Sequence, residues 1–284
     1  MRKLASVLRL TRIEHSVMLV IAVVAAEILS GGLPSLPVLL LSLITPIFLS
    51  MSAFAVNDYF DVRVDAANGR RRPLVTGELK PADAVYITII TMALGMLGSL
   101  FLNIYCLAIA LIFGSLSILY SYRLKAVPLV GNAYVAFSMA IPFIFGNYVV
   151  SRNLLVQTSL IFVLIFLSGL AREIDGTVRD FDGDAKRKAR TLPRVIGIEN
   201  SAYLAFALYI VAIAITLYMF LDVEPFAGNL VFGSLMLTSD VMVFYSGLIY
   251  VLLDSRNYDK VRNISLGGMG LALVCILISS LVYI

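Results

Sequence analysis

Residues 38–65 read VLLLSLITPIFLSMSAFAVNDYFDVRVD. The first nineteen, 38–56, carry no charged side chain. That is close to the ~20 apolar residues a helix needs to cross the hydrocarbon core of a bilayer. The next nine hold Asp58, Asp61 and Asp65. The stretch therefore reads as a membrane helix whose polar end runs out into water. Eight further apolar runs of helical length surround it: 16–31, 84–102, 104–122, 128–150, 154–171, 201–221, 230–252 and 264–284. None shows the ten-residue alternation of a membrane β-barrel. The expected fold is all-α, a polytopic bundle of nine transmembrane helices forming one domain over residues 1–284.

The composition agrees. Of 284 residues 60% are hydrophobic and 14% charged, against ~25% charged for a soluble domain. A mean hydropathy of +0.95 makes the bilayer the solvent for most of the chain. The basic residues then fix an orientation. If the helices alternate sides, 21 of the 22 Lys and Arg fall on the face of the N-terminus, and only Arg152 falls opposite. By the positive-inside rule that face, and the N-terminus, are cytoplasmic. The net charge of +4 thus belongs to membrane orientation, and no nucleic-acid partner is expected. A cleaved signal peptide at the first run would break the alternation.

Cys106 and Cys275 lie in apolar runs and His15 is the single histidine, so no disulfide framework and no multi-histidine metal site follow. Two cytoplasmic connections are long, 57–83 and 172–200, and hold most of the acidic residues. Long loops in compact domains are usually functional.

The first loop begins Asn57-Asp58-Tyr59-Phe60-Asp61-Val62-Arg63-Val64-Asp65. If the helix continues past the membrane, Asn57, Asp61 and Asp65 fall at i, i+4 and i+8 along one drifting face. The second loop holds Asp180-Phe181-Asp182-Gly183-Asp184, with Asp180 and Asp184 again four apart. Two carboxylates ~5 Å apart repel by roughly 3 kcal/mol at an effective dielectric of 20. A divalent cation offsets this. Mg²⁺ takes one or two carboxylates, keeps several waters and completes its shell with substrate phosphate oxygens. Two such clusters on one face suit two Mg²⁺ ions flanking a diphosphate. Nearby cations, among them Arg70, Arg71, Arg72, Arg172 and the Arg123–Lys125 pair after Tyr120-Ser121-Tyr122, could bind that diphosphate and stabilise it as it leaves.

These residues resemble the UbiA family of intramembrane prenyltransferases. Asn57-x-x-x-Asp61-x-x-x-Asp65, with Asn68 and Arg72-Pro73-Leu74-Val75-Thr76-Gly77, is similar to the family's first signature. Arg172-Glu173-Ile174, Asp180-x-x-Gly183-Asp184 and Thr191-Leu192-Pro193 are similar to its second. Tyr120-Ser121 with Lys125, then Gly131-Asn132, match a stretch between helices 4 and 5, and Arg12 and His15 stand where the family often has a basic pair.

The resemblance implies a helical bundle around a central cavity, with a polyprenyl diphosphate bound at its cytosolic end. It implies Mg²⁺ ligation by Asn57, Asp61, Asp65, Asp180 and Asp184. Catalysis would involve those four aspartates with Lys125 and Tyr120. Arg12, His15, Arg72, Ser121, Arg123, Asn132 and Arg172 would bind substrate, together with Asn57. Within the family, the Arg-Glu-Ile start and the Asp-x-x-Gly-Asp pattern look most like enzymes of archaeal membrane-lipid synthesis. That implies geranylgeranyl diphosphate as donor and geranylgeranylglyceryl phosphate as a bilayer-borne acceptor. An aromatic quinone precursor is the alternative acceptor. Relatives often carry Lys-Asp where this chain has Gly176-Thr177, and here an acid comes earlier, at Asp175.

The chemistry asks for a dry pocket in which aromatic faces stabilise an allylic cation. Phe54, Tyr59, Tyr120, Phe137 and Phe143 are the candidates. No general base is assigned, and the sequence does not define what Glu27, Asp175, Asp182 and Asp240 do. Two rival classes fit the residues less well. A secondary transporter would place ionisable groups near the midplane, where only Asp240 is clearly deep. A CDP-alcohol phosphotransferase needs Ala-Arg where Arg179-Asp180 stands.

Overall fold

The computed structural model describes residues 2–186, 189–252 and 258–282. Of the basic residues counted above, Arg187, Lys188 and Arg256 lie outside these ranges. The elements in order are α1 (Arg2–Thr11), α2 (Ser16–Gly31), α3 (Leu36–Ala67), α4 (Pro81–Leu100), α5 (Ile104–Tyr122), α6 (Val130–Val150), α7 (Val156–Arg179), α8 (Phe181–Lys186), α9 (Leu192–Ile196), α10 (Ile198–Asp222), α11 (Leu230–Leu252) and α12 (Tyr258–Val282). No strand occurs among the described residues.

Each apolar run of the sequence falls on one helix, with edges mostly within a few residues. Among the described residues eight helices are long and apolar enough to cross a membrane: α2 with the turn before it, α3, α4, α5, α6, α10, α11 and α12. The run 154–171 forms α7, which is not among the eight. Its last two turns carry Arg172, Glu173, Asp175 and Arg179.

Local chemistry sets the helix ends. Asn103 caps α5, its side-chain oxygen accepting from the backbone N–H groups of Tyr105 and Cys106 at 3.0 Å. Pro37 and Pro81 occupy the first turns of α3 and α4, where their missing N–H costs nothing. α3 runs 32 residues, so its last turns stand beyond the apolar run. Pro46 sits inside it. Between helices, Thr45 donates to the Gly95 carbonyl and Ser52 to the Thr88 carbonyl, both 3.1 Å, tying α3 to α4.

The helices close into a ring. α3, α4 and α5 pack together; α5 meets α6; α6 meets α2 and α7; then α7, α10, α11 and α12 follow, and α12 returns to α2. Small residues permit the close seams. A Cβ on Gly146 of α6 would stand 2.6 Å from the Val23 carbonyl oxygen of α2, so only glycine allows that approach. The outer surface is rich in exposed Leu, Ile and Val, the face that lipid would cover.

α1 is a short amphipathic helix before the bundle proper. Leu10 is buried with Leu74, Leu79 and Ala84 from the loop after α3 and the start of α4. Ser6 and Arg9 both bind Glu78 in that loop. The Ser6 hydrogen bond is the main reason the Glu78 carboxyl lies below its ordinary pKa.

Candidate active site

The ring encloses a cavity of ≈ 810 Å³. Its wall is mostly apolar, and one end is polar, lined by Arg12, Glu14, His15, Asn57, Tyr120 and Ser121, with Arg172 and Arg262. Phe54 and Phe143 also line it, as two of the five expected aromatics besides Tyr120. Tyr59 and Phe137 do not: Tyr59 is exposed, and Phe137 packs edge-on against Phe162.

The first acidic cluster is helical, as the spacing required. All of Asn57, Asp58, Asp61 and Asp65 lie within an arc of about 100° on α3. The cations are shared differently from the four-residue spacing. Asp58 is buried, 2% exposed, and accepts from Arg12 at 2.7 Å and from Arg72. Arg72 also reaches Asp65 at 3.0 Å. Asp58 and Asp65 are seven apart, about 20° short of two full turns, so one guanidinium spans both. Asp61 turns instead to Lys125, which meets its carboxylate from the short turn after α5. Arg70 stands 3.5 Å from Asp65.

Arg12 arrives by a backbone device. It sits between α1 and α2 with φ 46° and ψ 51°, a left-handed conformation costly for a residue with a Cβ. The break turns its guanidinium onto Asp58 and over the Phe54 ring, 4.5 Å from the centroid. Ion pair and cation–π contact offset the strain. Burial lowers the pKa of this guanidinium from its ordinary value, and the Asp58 charge opposes the shift.

The second cluster straddles a helix break. α7 ends at Arg179 and α8 begins at Phe181, but the Asp184 N–H still donates to the Asp180 carbonyl at 2.9 Å. The i,i+4 relationship thus survives the break. Asp180 is half exposed and held bidentately by Arg179 at 2.8 and 2.9 Å.

Other expected residues fall as follows. His15 lies edge-on to Phe54 at 5.2 Å, with Glu14 3.7 Å from its Nδ1. Ser121 donates to the Ser117 carbonyl at 2.8 Å on the cavity wall. Tyr120 stacks on Tyr134 with ring centroids 4.3 Å apart. Arg123 is exposed at the end of α5. Asn132 donates to the Glu173 carbonyl at 3.1 Å and so ties α6 to α7. Arg172 lines the cavity and pairs with Glu173 at 3.2 Å.

Four further residues stand at or beside the site without having been marked as site residues by the sequence motifs. Asp58 is the hub of the arginines; its i,i+7 relation to Asp65 was the available signal. Tyr134 lines the cavity behind Tyr120. Asp240 also lines it, hydrogen-bonded by Thr216 at 2.5 Å. Asp175 is buried, 3% exposed, and accepts from Tyr209 at 3.0 Å.

The donor set suits a hard cation. It consists of carboxylates with one amide, and the Asp65 Oδ2, although 3.0 Å from Arg72, is buried without a partner in hydrogen-bond geometry. Among the described residues no three acidic, His or Cys side chains converge on one point. That fits Mg²⁺ better than a metal held wholly by protein, since Mg²⁺ keeps waters and takes phosphate oxygens.

Residues 18–281 match the model of the UbiA prenyltransferase family. The chain belongs to that family. It is 34% identical over 276 residues to the digeranylgeranylglyceryl phosphate synthase of Archaeoglobus fulgidus, covering 96% of this chain and 94% of the relative. A solved structure described as concerning the biosynthesis of digeranylgeranylglyceryl phosphate synthase in membranes superposes with a TM-score of 0.84 at 26% identity, covering 99% of both chains. A UbiA homolog from Archaeoglobus fulgidus bound to GPP and Mg²⁺ shares the fold, with a TM-score of 0.69 at 21% identity over 95% of this chain and 99% of that one. The chain is thus an integral, multi-pass membrane prenyltransferase with the UbiA fold.

Proposed function

We propose that this UbiA prenyltransferase is a single domain over 1–284 that transfers a geranylgeranyl group from its diphosphate to geranylgeranylglyceryl phosphate, releasing diphosphate. One observation carries the reading. The aspartates of α3, with Arg12, Arg72 and Lys125 gathered on them, follow directly on Asn57, which with Arg12 lines the polar end of an apolar cavity able to take an isoprenoid chain. The synthase named for that product in Archaeoglobus fulgidus aligns along nearly the whole chain.

Asn57, Asp61 and Asp65 on one side, and Asp180 and Asp184 on the other, would hold two Mg²⁺ ions. Metal held by these residues would supply electrostatic stabilisation of the diphosphate as it leaves. The chain's own cations act on the same charge. Arg12, Arg72 and Lys125 now neutralise carboxylates, and each can turn to phosphate oxygens when the diphosphate arrives. Arg172, His15, Ser121 and Asn57, which line the cavity, would border the path of the substrates, whereas Arg123 and Asn132 are not among its lining residues. The stacked Tyr120 and Tyr134, with Phe54 and Phe143, exclude water and face the allylic carbon with π density.

The 21-to-1 division of basic residues supports nine crossings, with α7 as the ninth, and an active site at the cytoplasmic face. α7 is tied to α6 and α10 along the ring as the other helices are to their neighbours. Its charged end would then reach the aqueous boundary on the same membrane face as the end of α3.

Purified protein, supplied with labelled geranylgeranyl diphosphate and Mg²⁺, tests the reading. It should convert geranylgeranylglyceryl phosphate to the diether, seen by mass spectrometry. Prenylation of 4-hydroxybenzoate and none of the glyceryl phosphate would overturn the acceptor.

A further inference from the structure

A second, smaller pocket of ≈ 290 Å³ adjoins the polar end of the cavity. It lies among the end of α7, α11 and α12, and Arg172 and Arg262 line both spaces. Its remaining wall includes Glu173, Asp175, Arg179, Asp180 and Tyr250. The volume is at the small end of ligand pockets, ~300–1,000 Å³. It suits a polar head group whose hydrocarbon tail continues into the larger cavity.

The charges in this pocket pair off unevenly. Arg179 is bidentate on Asp180, and Arg172 pairs with Glu173. Arg262, exposed near the start of α12, forms no ion pair among the described residues, although its charge is felt at Glu173. It is the cation left to meet an incoming anion. At the buried side two polar atoms lack hydrogen-bond partners, the Nε of Arg172 and the Oδ1 of Asp175. The other oxygen of Asp175 is fixed by Tyr209 at 3.0 Å, so the carboxylate is held in one orientation. An orphaned acceptor in a buried carboxylate calls for a donor from a ligand or water. The pocket therefore presents an anion site and a hydrogen-bond acceptor side by side. Asp180, proposed above to lie at the diphosphate, forms part of the same wall.

Resting on the function proposed above, we infer that this pocket holds the head group of the acceptor. Arg262 and Arg172 bind its phosphate, and Asp175 receives the proton of its free glycerol hydroxyl. In the transfer, the hydroxyl oxygen bonds to the allylic carbon as the carbon–oxygen bond to diphosphate breaks. The diphosphate departs with the bonding pair, and the hydroxyl proton passes to the Asp175 carboxylate. Tyr209 on α10 holds Asp175 in place for this step.

Steady-state kinetics on the full-length protein in lipid nanodiscs, with donor and acceptor varied separately, test the site. Arg262→Gln should raise the KM of geranylgeranylglyceryl phosphate at least tenfold, leaving the donor KM within about twofold, and Arg262→Lys should recover part of it. Asp175→Asn keeps an acceptor for Tyr209 and should lower kcat about 10²-fold or more, with both KM values little changed. Geranylgeranylglycerol, which lacks the phosphate, should be a poor acceptor whose use Arg262→Gln does not weaken further. Two results would overturn the site: a rise in donor KM equal to the acceptor's in Arg262→Gln, or near-normal kcat in Asp175→Asn. A wild-type protein that ignores the glyceryl phosphate would instead overturn the proposed function, and this site with it. Calorimetric binding of an unreactive donor analogue with Mg²⁺ checks that each variant is folded. A variant that binds the analogue as wild type yet shows the wrong kinetic pattern counts against the inference.

Discussion

Arg12 and Asp58 meet at 2.7 Å across 46 positions of sequence, and Arg72 closes on the same carboxylate oxygen. Asp58 is 2% exposed, so removing it strands the Arg12 guanidinium and leaves Arg72 with Asp65 alone. Breaking one partner of a buried pair costs about 3–5 kcal/mol. Asp58→Ala should therefore lower the melting temperature in detergent and raise the donor KM together. Asp58→Asn should lose less stability. An unchanged melting temperature in Asp58→Ala would show that the pair does not hold the N-terminal segment in place.

Asp61→Ala, Asp65→Ala, Asp180→Ala and Asp184→Ala should each cut turnover at least ~10²-fold, the scale at which electrostatic groups at a transition state act. Asp222, exposed at the end of α10, should tolerate Ala. Excess EDTA should abolish activity and added Mg²⁺ restore it. Near-normal turnover in Asp180→Ala would end the two-cluster mechanism.

A donor chain lying in the cavity would be limited in length by the cavity wall. Ser138 lines it, and its hydroxyl only donates to the Val135 carbonyl of its own helix, so its replacement leaves no buried partner unpaired. Ser138→Phe should depress kcat/KM for geranylgeranyl diphosphate more than for geranyl diphosphate. Competition between the two donors reads the ratio directly, and equal losses would place the chain elsewhere.

Gly146 allows α6 to approach the α2 backbone, with the Val23 oxygen 2.6 Å from where a Cβ would sit. Gly146→Val should push the helices apart and destabilise by about 1–3 kcal/mol, the usual cost of overpacking. Thermal unfolding of the purified variant measures it. A stability equal to wild type would mean that the seam yields without cost.

Orientation has its own test. With Cys106 and Cys275 replaced, a cysteine at Asn153 should label from outside the cell and one at Ala126 only after permeabilisation. Both positions are exposed, and the structural bond of Asn153 uses its backbone carbonyl. The opposite pattern would invert the topology.

Much of this was legible in the residues. Apolar run lengths located every long helix because a membrane span must be continuous and internally hydrogen-bonded. The acidic clusters were found because like charges in series demand a counterion. What escaped was the chemistry of contact between distant segments. Four-residue spacing singled out Asn57, Asp61 and Asp65, whereas the guanidiniums come from the break between α1 and α2 and from the loop after α3 and settle on Asp58. Asn132 was assigned to substrate, and its amide meets a backbone carbonyl of α7. Asp175 was noticed as a departure, but its partner, Tyr209, lies 34 positions away. Likewise α1 carries too few apolar residues to register as a span, and its place is set by Glu78.

The cations that meet the first acidic cluster are Arg12, Arg70, Arg72 and Lys125, all within the first 125 residues. The second cluster lies some sixty residues further along the chain. During synthesis, the four helices α2 to α5 and their neutralised carboxylates can therefore assemble while α7 is still being made. The nascent half-site never has to present three bare aspartates at the membrane surface, where they would bind stray divalent ions or oppose insertion. Translation order thus doubles as a safeguard: the charges are matched early, and the groups that complete the reaction centre arrive last.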